Sequence, residues 1–394
     1  MTNLSCSFFI RLTLTLLTAC AVAPLTVTHA AIVDGLYEAE EVVQSQSQSV
    51  RDQAMGNALM QVFKKVTGRS SVQNLPGIAD ALNHPERFVQ QYLYRSIQEA
   101  QYPIPNADPN SQLAWFQFDE QAINRLLRSN NLPVWGHTRP STLVWLAVEE
   151  NGQRYILGSD SQEELRDLLR YEAKRLGMAL VLPLLDLQDQ QSLSFADLWG
   201  NFQDSILNAS ARYQAEAVLV GRLSLASSDV WTGRWTLYEG GRNFSWQGQD
   251  SYPSEILSSG MGGTMEALAI RYAQVPESGT PSAVYLTVNG VGALKDYARV
   301  SKYLSSLEVV KDVQPTTIRA NSARFRLNIR GSAEGLAQTI KLGNVLQEQQ
   351  VTIESPPASH SAAANFFGMP SPSATNDSTL SQSQNSDYTY RLLP

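Results

Sequence analysis

The sequence is poor in the side chains from which hydrolases and metalloenzymes build their active sites. It contains two cysteines and four histidines among its 394 residues, and no two histidines lie one helical turn apart. The His-Glu-x-x-His pattern of zinc proteases, the Ser-x-x-Lys pattern of penicillin-binding enzymes and the Gly-x-Ser-x-Gly elbow of hydrolases are all absent. The sequence therefore predicts no catalytic residue, no metal site and no cofactor.

Both cysteines, Cys6 and Cys20, fall within the first thirty residues, which have the pattern of an export signal. Arg11 precedes an apolar stretch, and Thr28-His29-Ala30 supplies small residues for a signal peptidase. Cleavage after Ala30 removes Arg11, takes the formal net charge from −7 to −8 and leaves a chain without a thiol. Such a chain can form no disulfide bond, and we expect it in the periplasm of a bacterium-like cell.

A competing interpretation places the mature N-terminus at Cys20. Leu17-Thr18-Ala19-Cys20 has the pattern of a lipobox, in which the cysteine is acylated to give an outer-membrane lipoprotein that faces the periplasm. The residues after Cys20 are apolar rather than a polar tether, so we favour cleavage after Ala30. An uncleaved membrane anchor is disfavoured, because the apolar stretch is interrupted and shorter than the roughly 20 residues that span a bilayer.

The rest of the chain has the composition of several folded modules. Its apolar content of 43% can fill substantial cores, and its negative charge argues against binding nucleic acid or anionic lipid. Roughly 360 residues exceed what one core usually organises. The predicted units are a signal peptide (1–30), an N-terminal α+β module (31–137), an α/β module with a mixed sheet (138–275), a ferredoxin-like module (281–353) and a disordered tail rich in Ser, Asn, Gln and Pro (354–394).

The N-terminal module is predicted to be a small α+β unit. Apolar residues recur every four positions from Val50 to Val66 and predict a helix with Ser49 as N-cap and Gly68 as C-cap. The other predicted elements are strands at Leu36–Val43 and Leu113–Phe118 and helices at Pro85–Ile97 and Glu120–Arg128.

The middle module is predicted to carry a mixed sheet. Asn151-Gly152 suits the positive φ angles of a tight hairpin, and Ser161 with Glu164 forms a capping box for a helix that ends at Gly177. The other predicted elements are strands at Leu143–Val148, Arg154–Leu157, Ala179–Leu182, Ala217–Leu225, Arg234–Tyr238 and Asn243–Gln247, and helices at Leu198–Tyr213 and Met265–Tyr272. Gly260-Met261-Gly262-Gly263-Thr264 lacks the lysine of a phosphate-binding loop, so we predict a flexible loop there.

The third module has the element order βαββαβ, which predicts a ferredoxin-like split β-α-β fold. The predicted elements are strands at Val284–Val288, Val309–Val313, Ala323–Ile329 and either Val345 or Val351–Ile353, and helices at Ala293–Leu304 and Ala333–Leu342. Apolar residues alternate with arginines along the third of these strands. Arg324, Arg326 and Arg330 are therefore a candidate face for an acidic partner, although a solvated charged surface is the simpler interpretation.

Three tryptophans form a second candidate site. Trp231, Trp235 and Trp246 could line a sugar-binding groove, because aromatic rings stack on pyranose faces. Trp231 and Trp235 are four residues apart and so share one side of a strand, where anchoring in a core is the commoner role.

Several of these segments resemble one family of exported proteobacterial proteins. The resemblance rests on Tyr37-Glu38-Ala39-Glu40, Lys65-Val66-Thr67-Gly68, Ala217 to Arg222 and Val288-Asn289-Gly290. It spans roughly residues 33 to 350 and is to domain-of-unknown-function family 2066, which implies a fold and a compartment but no activity. More weakly, the first segment is similar to the amino-terminal domain of outer-membrane flagellar ring proteins, and the middle segment to the amino-terminal module of Tol-type periplasmic proteins.

We therefore expect an exported, non-enzymatic scaffold or adaptor of the cell envelope, whose partner is another envelope protein. Under this hypothesis the tail ends in an aromatic and aliphatic tip, Tyr388–Pro394, that could dock on that partner. The alternative is a protein that binds or modifies envelope glycans through the tryptophan platform. Membrane attachment is expected only if Cys20 is acylated.

Overall fold

The computed structural model describes residues 31–105, 107–160, 163–226, 229–273, 282–343, 345–349 and 387–394. The predictions for the export signal, for acylation at Cys20 and for Ser161 as a helix cap lie outside these residues. The described part is a multi-module α+β protein, as the sequence predicts. None of its helices combines the length and apolar character needed to cross a bilayer.

The N-terminal module packs one long helix on a three-stranded antiparallel sheet of order β2-β4-β3. Its elements are β1 (Ala31–Ile32), β2 (Glu38–Val43), α1 (Gln48–Thr67), α2 (Ile78–Asn83), β3 (Val89–Ser96), β4 (Gln112–Phe118) and α3 (Glu120–Ser129). Gly68 ends α1 in the left-handed conformation, with φ of 67°, as predicted. The N-cap is Ser47 rather than Ser49.

The helix predicted at Pro85–Ile97 is wrong. Within it, only Pro85–Arg87 and the last residue, Ile97, are helical, each in a 3-10 turn, and β3 lies between the two turns. Strand β3 pairs with β4 along its length, and the Tyr92 ring packs against Phe116 of that strand, tilted by 32° with the ring centroids 6.1 Å apart. Aromatic residues favour a pleated surface that they can pack on, and this tertiary pairing overrides the apparent helical pattern.

The middle module has a six-stranded mixed sheet of order β11-β10-β9-β6-β7, with β8 also paired to β6. Strand β6 is parallel to β8 and β9, and the other pairs are antiparallel. The first elements are β5 (Thr138–Arg139), β6 (Ser141–Glu150), β7 (Gln153–Leu157), α4 (Glu163–Arg175), β8 (Ala179–Val181), α5 (Leu187–Ser192), α6 (Phe195–Gly200) and α7 (Gln203–Ser210). They are followed by β9 (Ala217–Leu225), β10 (Trp231–Glu239), β11 (Arg242–Asp250) and α8 (Pro253–Tyr272).

In the middle module, residues with positive φ angles account for one prediction that is confirmed and one that is wrong. Asn151 and Gly152 form the predicted hairpin, with φ of 50° and 78°. The single helix predicted at Leu198–Tyr213 is wrong, because Asn201 adopts a left-handed conformation with φ of 55° and separates α6 from α7. The two faces of the sheet are covered by different helices, with α4 and α8 on one and α5 to α7 on the other.

The C-terminal module contains the predicted βαββαβ order and one further strand. Its elements are β12 (Ser282–Asn289), α9 (Leu294–Ser306), β13 (Val310–Arg319), β14 (Ser322–Ile329), α10 (Ala333–Leu342), β15 (Leu346–Glu348) and β16 (Asp387–Leu392). The sheet order is β13-β14-β12-β16-β15. The predicted disordered tail is therefore wrong for its last residues, which form β16. The rest of that tail, residues 354–386, lies outside the described residues, and so does the alternative last strand Val351–Ile353 of the ferredoxin-like module.

Candidate functional site

A buried arginine joins the first two modules. Arg139 lies in the linker between them, residues 130–140 between α3 and β6, and is only 1% exposed. Its guanidinium donates hydrogen bonds to the carbonyls of Lys65 at 2.7 Å, Gly177 at 3.0 Å, Trp135 at 3.1 Å and Gly136 at 3.2 Å. These carbonyls lie on α1, on the linker and just after α4, so one side chain ties three segments together.

A second buried basic side chain, on the N-terminal module, lies beside this joint. Lys65 on α1 donates from Nζ to the carbonyl oxygens of Glu38 at 2.7 Å and Gly35 at 3.2 Å. Burial, together with the nearby Arg139 charge, lowers the pKa of Lys65 to about 7. The Trp135 ring packs against Arg139, with the guanidinium carbon 4.2 Å from the ring centroid. The joint is therefore an ordered contact rather than a hinge of loose chain.

On the other side of this joint, an open polar cleft of about 1030 Å³ separates the N-terminal and C-terminal modules. One wall is formed by β2 and α3, the opposite wall by the end of α9 and the start of β13, and His137 of the linker lies between them. The Arg128 guanidinium bonds the Glu308 carboxylate at 2.6 Å, which connects the two walls. The cleft therefore exists only because the two modules are held beside one another.

The cleft carries both signs of charge and a buried phenol. Tyr37 donates its hydroxyl to Asn124 at 3.0 Å, and burial raises the pKa of Tyr37 well above its ordinary value. His137 places Nδ1 2.8 Å from the carbonyl oxygen of Val33 and Nε2 3.8 Å from the Glu120 carboxylate. The interaction with Glu120 raises the pKa of His137, although partial burial opposes this shift. Such a surface can recognise polar and charged groups of a partner.

A separate small cavity lies between the outer face of the N-terminal sheet and α4. It has a volume of about 90 Å³ and is lined by the aromatic rings of Tyr102, Trp115 and Tyr171. Glu38, which accepts a hydrogen bond from the Trp115 indole at 3.2 Å, and Glu40 supply carboxylates at its edge. The combination of aromatic faces and carboxylates is chemically suited to a small hydroxylated ligand.

The tryptophans predicted as a ligand platform do not form one. Trp231 and Trp235 are 6% and 1% exposed and belong to the core of the middle module. Trp246 is half-buried and donates its indole N–H to the carbonyl of Ser259 on α8 at 3.2 Å. Trp231 and Trp235 therefore anchor the core, which is the role that their four-residue spacing favoured.

The glycine-rich segment at 260–264 is neither a phosphate cradle nor a flexible loop, because it lies inside α8. A Cβ at Gly260 would stand 2.4 Å from the Trp235 ring, and one at Gly263 would stand 2.5 Å from the Trp246 ring. The Thr264 hydroxyl donates a hydrogen bond to the carbonyl of Gly260 at 2.8 Å. The glycines thus let the helix approach the sheet where large indole rings fill the space between them.

Two of the three predicted arginines lie on the open face of the C-terminal sheet. Phe325 and Leu327 of β14 are buried between them, which confirms the predicted alternation. Arg326 is exposed, and the Arg324 guanidinium lies 4.9 Å from the Tyr285 ring. Arg330 is not part of this face, because it donates to the carbonyls of Glu308 and Val310 at 2.9 and 3.0 Å.

The comparisons with known proteins concern the first module above all. Residues 30–136 match the family model described as a domain of unknown function (DUF8605). A solved structure titled "Crystal structure of uncharacterized protein" is 13% identical, with a TM-score of 0.15, and the match covers 34% of this chain and 97% of that chain. A TM-score this low does not establish a shared fold. No curated protein matches the chain.

Residues 30–136 are thus similar to a domain family without an assigned activity. Among the described residues, no three His, Cys, Asp or Glu side chains converge in the way that a metal ion requires. The buried arginine of the joint and the cleft were both missed by reading the sequence. Arg139 stands between Thr138 and Pro140 in a polar segment, and nothing local distinguishes it from an exposed linker residue.

Proposed function

We propose that this protein is an exported, non-enzymatic scaffold or adaptor of the bacterial cell envelope, and that a partner protein docks in the polar cleft. The observation that carries the proposal is that opposite walls of the cleft belong to different modules and are connected by the Arg128–Glu308 ion pair. A partner seated there contacts both modules at once, which is what an adaptor surface requires. The proposed compartment is the periplasm, with attachment to the outer membrane only if Cys20 is acylated.

The joint around Arg139 supports this proposal. Its guanidinium fixes the N-terminal module on the middle module, and α10 of the C-terminal module packs on α8 of the middle module, so both walls of the cleft are held in a fixed relation. Fixed geometry lowers the entropy that is lost when a partner binds two surfaces together. The resemblance to domain-of-unknown-function family 2066 over roughly residues 33 to 350 belongs to the same proposal and concerns fold and compartment.

Site-specific photo-crosslinking in intact envelopes tests the proposal. A photoreactive residue in place of Gln121, which is exposed at the cleft, is expected to capture a partner protein. The matched control replaces Asn243, which is exposed on β11 of the middle module, and is expected to capture none. Recovery of only a free monomer from the Gln121 variant would contradict the proposal.

Charge variants show whether the cleft itself is responsible. Arg128→Glu places two carboxylates beside one another in place of the ion pair and should abolish crosslinking from Gln121. The double variant Arg128→Glu, Glu308→Arg restores an attractive pair and should recover a large part of the crosslinked product. Equal crosslinking in the single and double variants would show that partner capture does not depend on the joined walls.

A second candidate function is contact with the edge of an envelope sugar at the small aromatic cavity, whose volume of about 90 Å³ admits part of a pyranose ring rather than a whole one. The rings of the cavity, Tyr102, Trp115 and Tyr171, differ from the tryptophans predicted from the sequence. Calorimetric titration with N-acetylglucosamine, comparing the native protein with Trp115→Ala, tests this function. We expect saturable heat that is lost in the variant, and an absence of heat with the native protein would rule out this sugar.

A further inference from the structure

The last strand of the chain occupies an unusual place in the C-terminal sheet. In a four-stranded βαββαβ sheet, the first and last strands are neighbours. Here β16 lies between β12 and β15, which correspond to those two strands, although residues 350–386 separate it from β15 in the sequence. The chain end therefore fills a slot whose two walls are complete without it.

Backbone hydrogen bonding holds β16 on both sides. It runs parallel to β12 in the register Tyr285–Asn289 against Asp387–Arg391, and antiparallel to β15. The N–H of Gln349 donates to the carbonyl of Thr389 at 2.9 Å, and the N–H of Leu393 donates to the carbonyl of Val345 at 2.9 Å. Both edges of the added strand are therefore satisfied, as in strand-addition complexes between separate chains.

Alternate side chains of β16 enter the module core. Tyr390 is 2% exposed and belongs to the core cluster, and Tyr388 and Leu392 pack at its edge. On the open face, the Asn289 amide donates to the Gln349 side chain at 2.9 Å and so connects the two walls of the slot across β16. The pattern Tyr-x-Tyr-x-Leu thus supplies specificity in addition to the backbone bonds.

The end of the strand meets positive charge. Arg299 on α9 donates to the carbonyl of Leu393 at 2.9 Å. Lys295, Arg299 and Arg391, together with the Asp296 carboxylate, line a cavity of about 700 Å³ beside Pro394. The bond from Arg299 holds the end of this segment against α9.

We propose that the slot between β12 and β15 is a peptide-strand binding site. Its ligand is the segment Asp387–Pro394, which is held by contacts rather than by chain connectivity and can be supplied by another copy of the same chain. The site takes an extended peptide with apolar side chains at alternate positions. This inference stands apart from the cleft, and neither depends on the other.

Exchange in a nicked protein tests the site. A specific protease site inserted between residues 360 and 370 of the full-length chain allows the segment to be cut after folding. The nicked protein should keep its near-ultraviolet circular dichroism and take up a fluorescent synthetic peptide of residues 387–394, as measured by anisotropy. The uncut protein should bind the same peptide at least 100-fold more weakly, because the tethered strand competes at an effective concentration of about 1 mM.

Variant peptides provide the matched controls. A peptide with Tyr390→Asp would bury a carboxylate in the core and should bind roughly 100-fold more weakly than the native sequence. Three results would overturn the proposal: collapse of the C-terminal module on nicking, failure of the labelled peptide to enter the nicked protein, or equal binding of the native and Tyr390→Asp peptides.

Discussion

Replacing Arg139 by alanine should uncouple the unfolding of the N-terminal and middle modules. In the native protein the guanidinium bonds five carbonyl groups: those of Lys65, Trp135, Gly136 and Gly177 at 2.7 to 3.2 Å, and that of Leu176 at 3.5 Å. Alanine removes every donor and leaves these acceptors in a site where the native side chain is 1% exposed. The two modules then lose the group that bonds them to one another.

The size of the effect follows from two opposing terms. Hydrogen bonds from a charged group contribute about 1.5 to 3 kcal/mol each. Removing Arg139 also relieves the cost of burying a guanidinium, a cost that is large enough to lower its pKa to about 9. We therefore expect a net loss of about 4 kcal/mol in the free energy of unfolding, by comparison with other broken buried charge contacts. Arg139→Lys keeps a charge but lacks the planar fork of donors, and about half of that loss is expected.

Urea denaturation followed by tryptophan fluorescence measures the loss, and hydrogen exchange at Lys65 and Gly177 shows where it falls. The control is Arg154→Ala, because Arg154 is exposed, pairs with Glu149 across the hairpin and has its guanidinium carbon 5.8 Å from the centroid of the Phe195 ring, so a change within about 0.5 kcal/mol is expected. A loss below about 1 kcal/mol in Arg139→Ala, with unchanged exchange at both positions, would refute the proposed role of this side chain as the joint.

Two further predictions concern packing and pH. Gly260→Ala places a methyl group 2.4 Å from the Trp235 ring and should lower the free energy of unfolding, followed in a thermal melt, by about 1 to 3 kcal/mol. In Gly262→Ala, in the same helix, the added methyl group meets no atom within 4 Å, and this change should raise the free energy of unfolding by up to about 1 kcal/mol. Equal effects of the two changes would contradict the close packing of α8. Burial raises the pKa of Glu41 from its ordinary 4.5 to about 7, so the stability that its protonated form contributes is fully present below about pH 4.5 and is lost as the pH rises through about 7. Glu41→Gln should therefore match the native protein near pH 4 and exceed it by up to about 3 kcal/mol at pH 8 in urea titrations, and a constant difference at both pH values would contradict the shift.

Features set by a few neighbouring residues could be predicted from the sequence. The Asn151-Gly152 hairpin depends on the tolerance of these two residues for positive φ, and the end of α1 at Gly68 depends on the same property. The alternation along β14 predicted its buried face, because side chains of a strand point to opposite sides. In each case the physical cause acts within one element.

Features set by distant partners could not be predicted in this way. The sequence of β3 predicts a helix, but the segment forms a strand because β4 provides the pleated surface on which Tyr92 packs. From the sequence, Gly260 predicts a flexible loop, because glycine increases the conformational freedom of the chain. In the structure the Trp235 ring lies against Gly260, and glycine is needed there because a side chain would not fit.

Arg139 and Tyr390 show why composition alone misplaces the limits of a module. Both lie in segments whose composition is that of a linker or a tail, and both are almost fully buried. Only a small fraction of each segment faces the core, so the polar residues around the buried side chain dominate any average taken along the sequence. The family match ends at residue 136, three positions before the guanidinium that satisfies the carbonyl of Lys65 within the matched region. A unit that is continuous in sequence is therefore completed by a side chain outside it, and the same relation holds between the C-terminal sheet and its last strand.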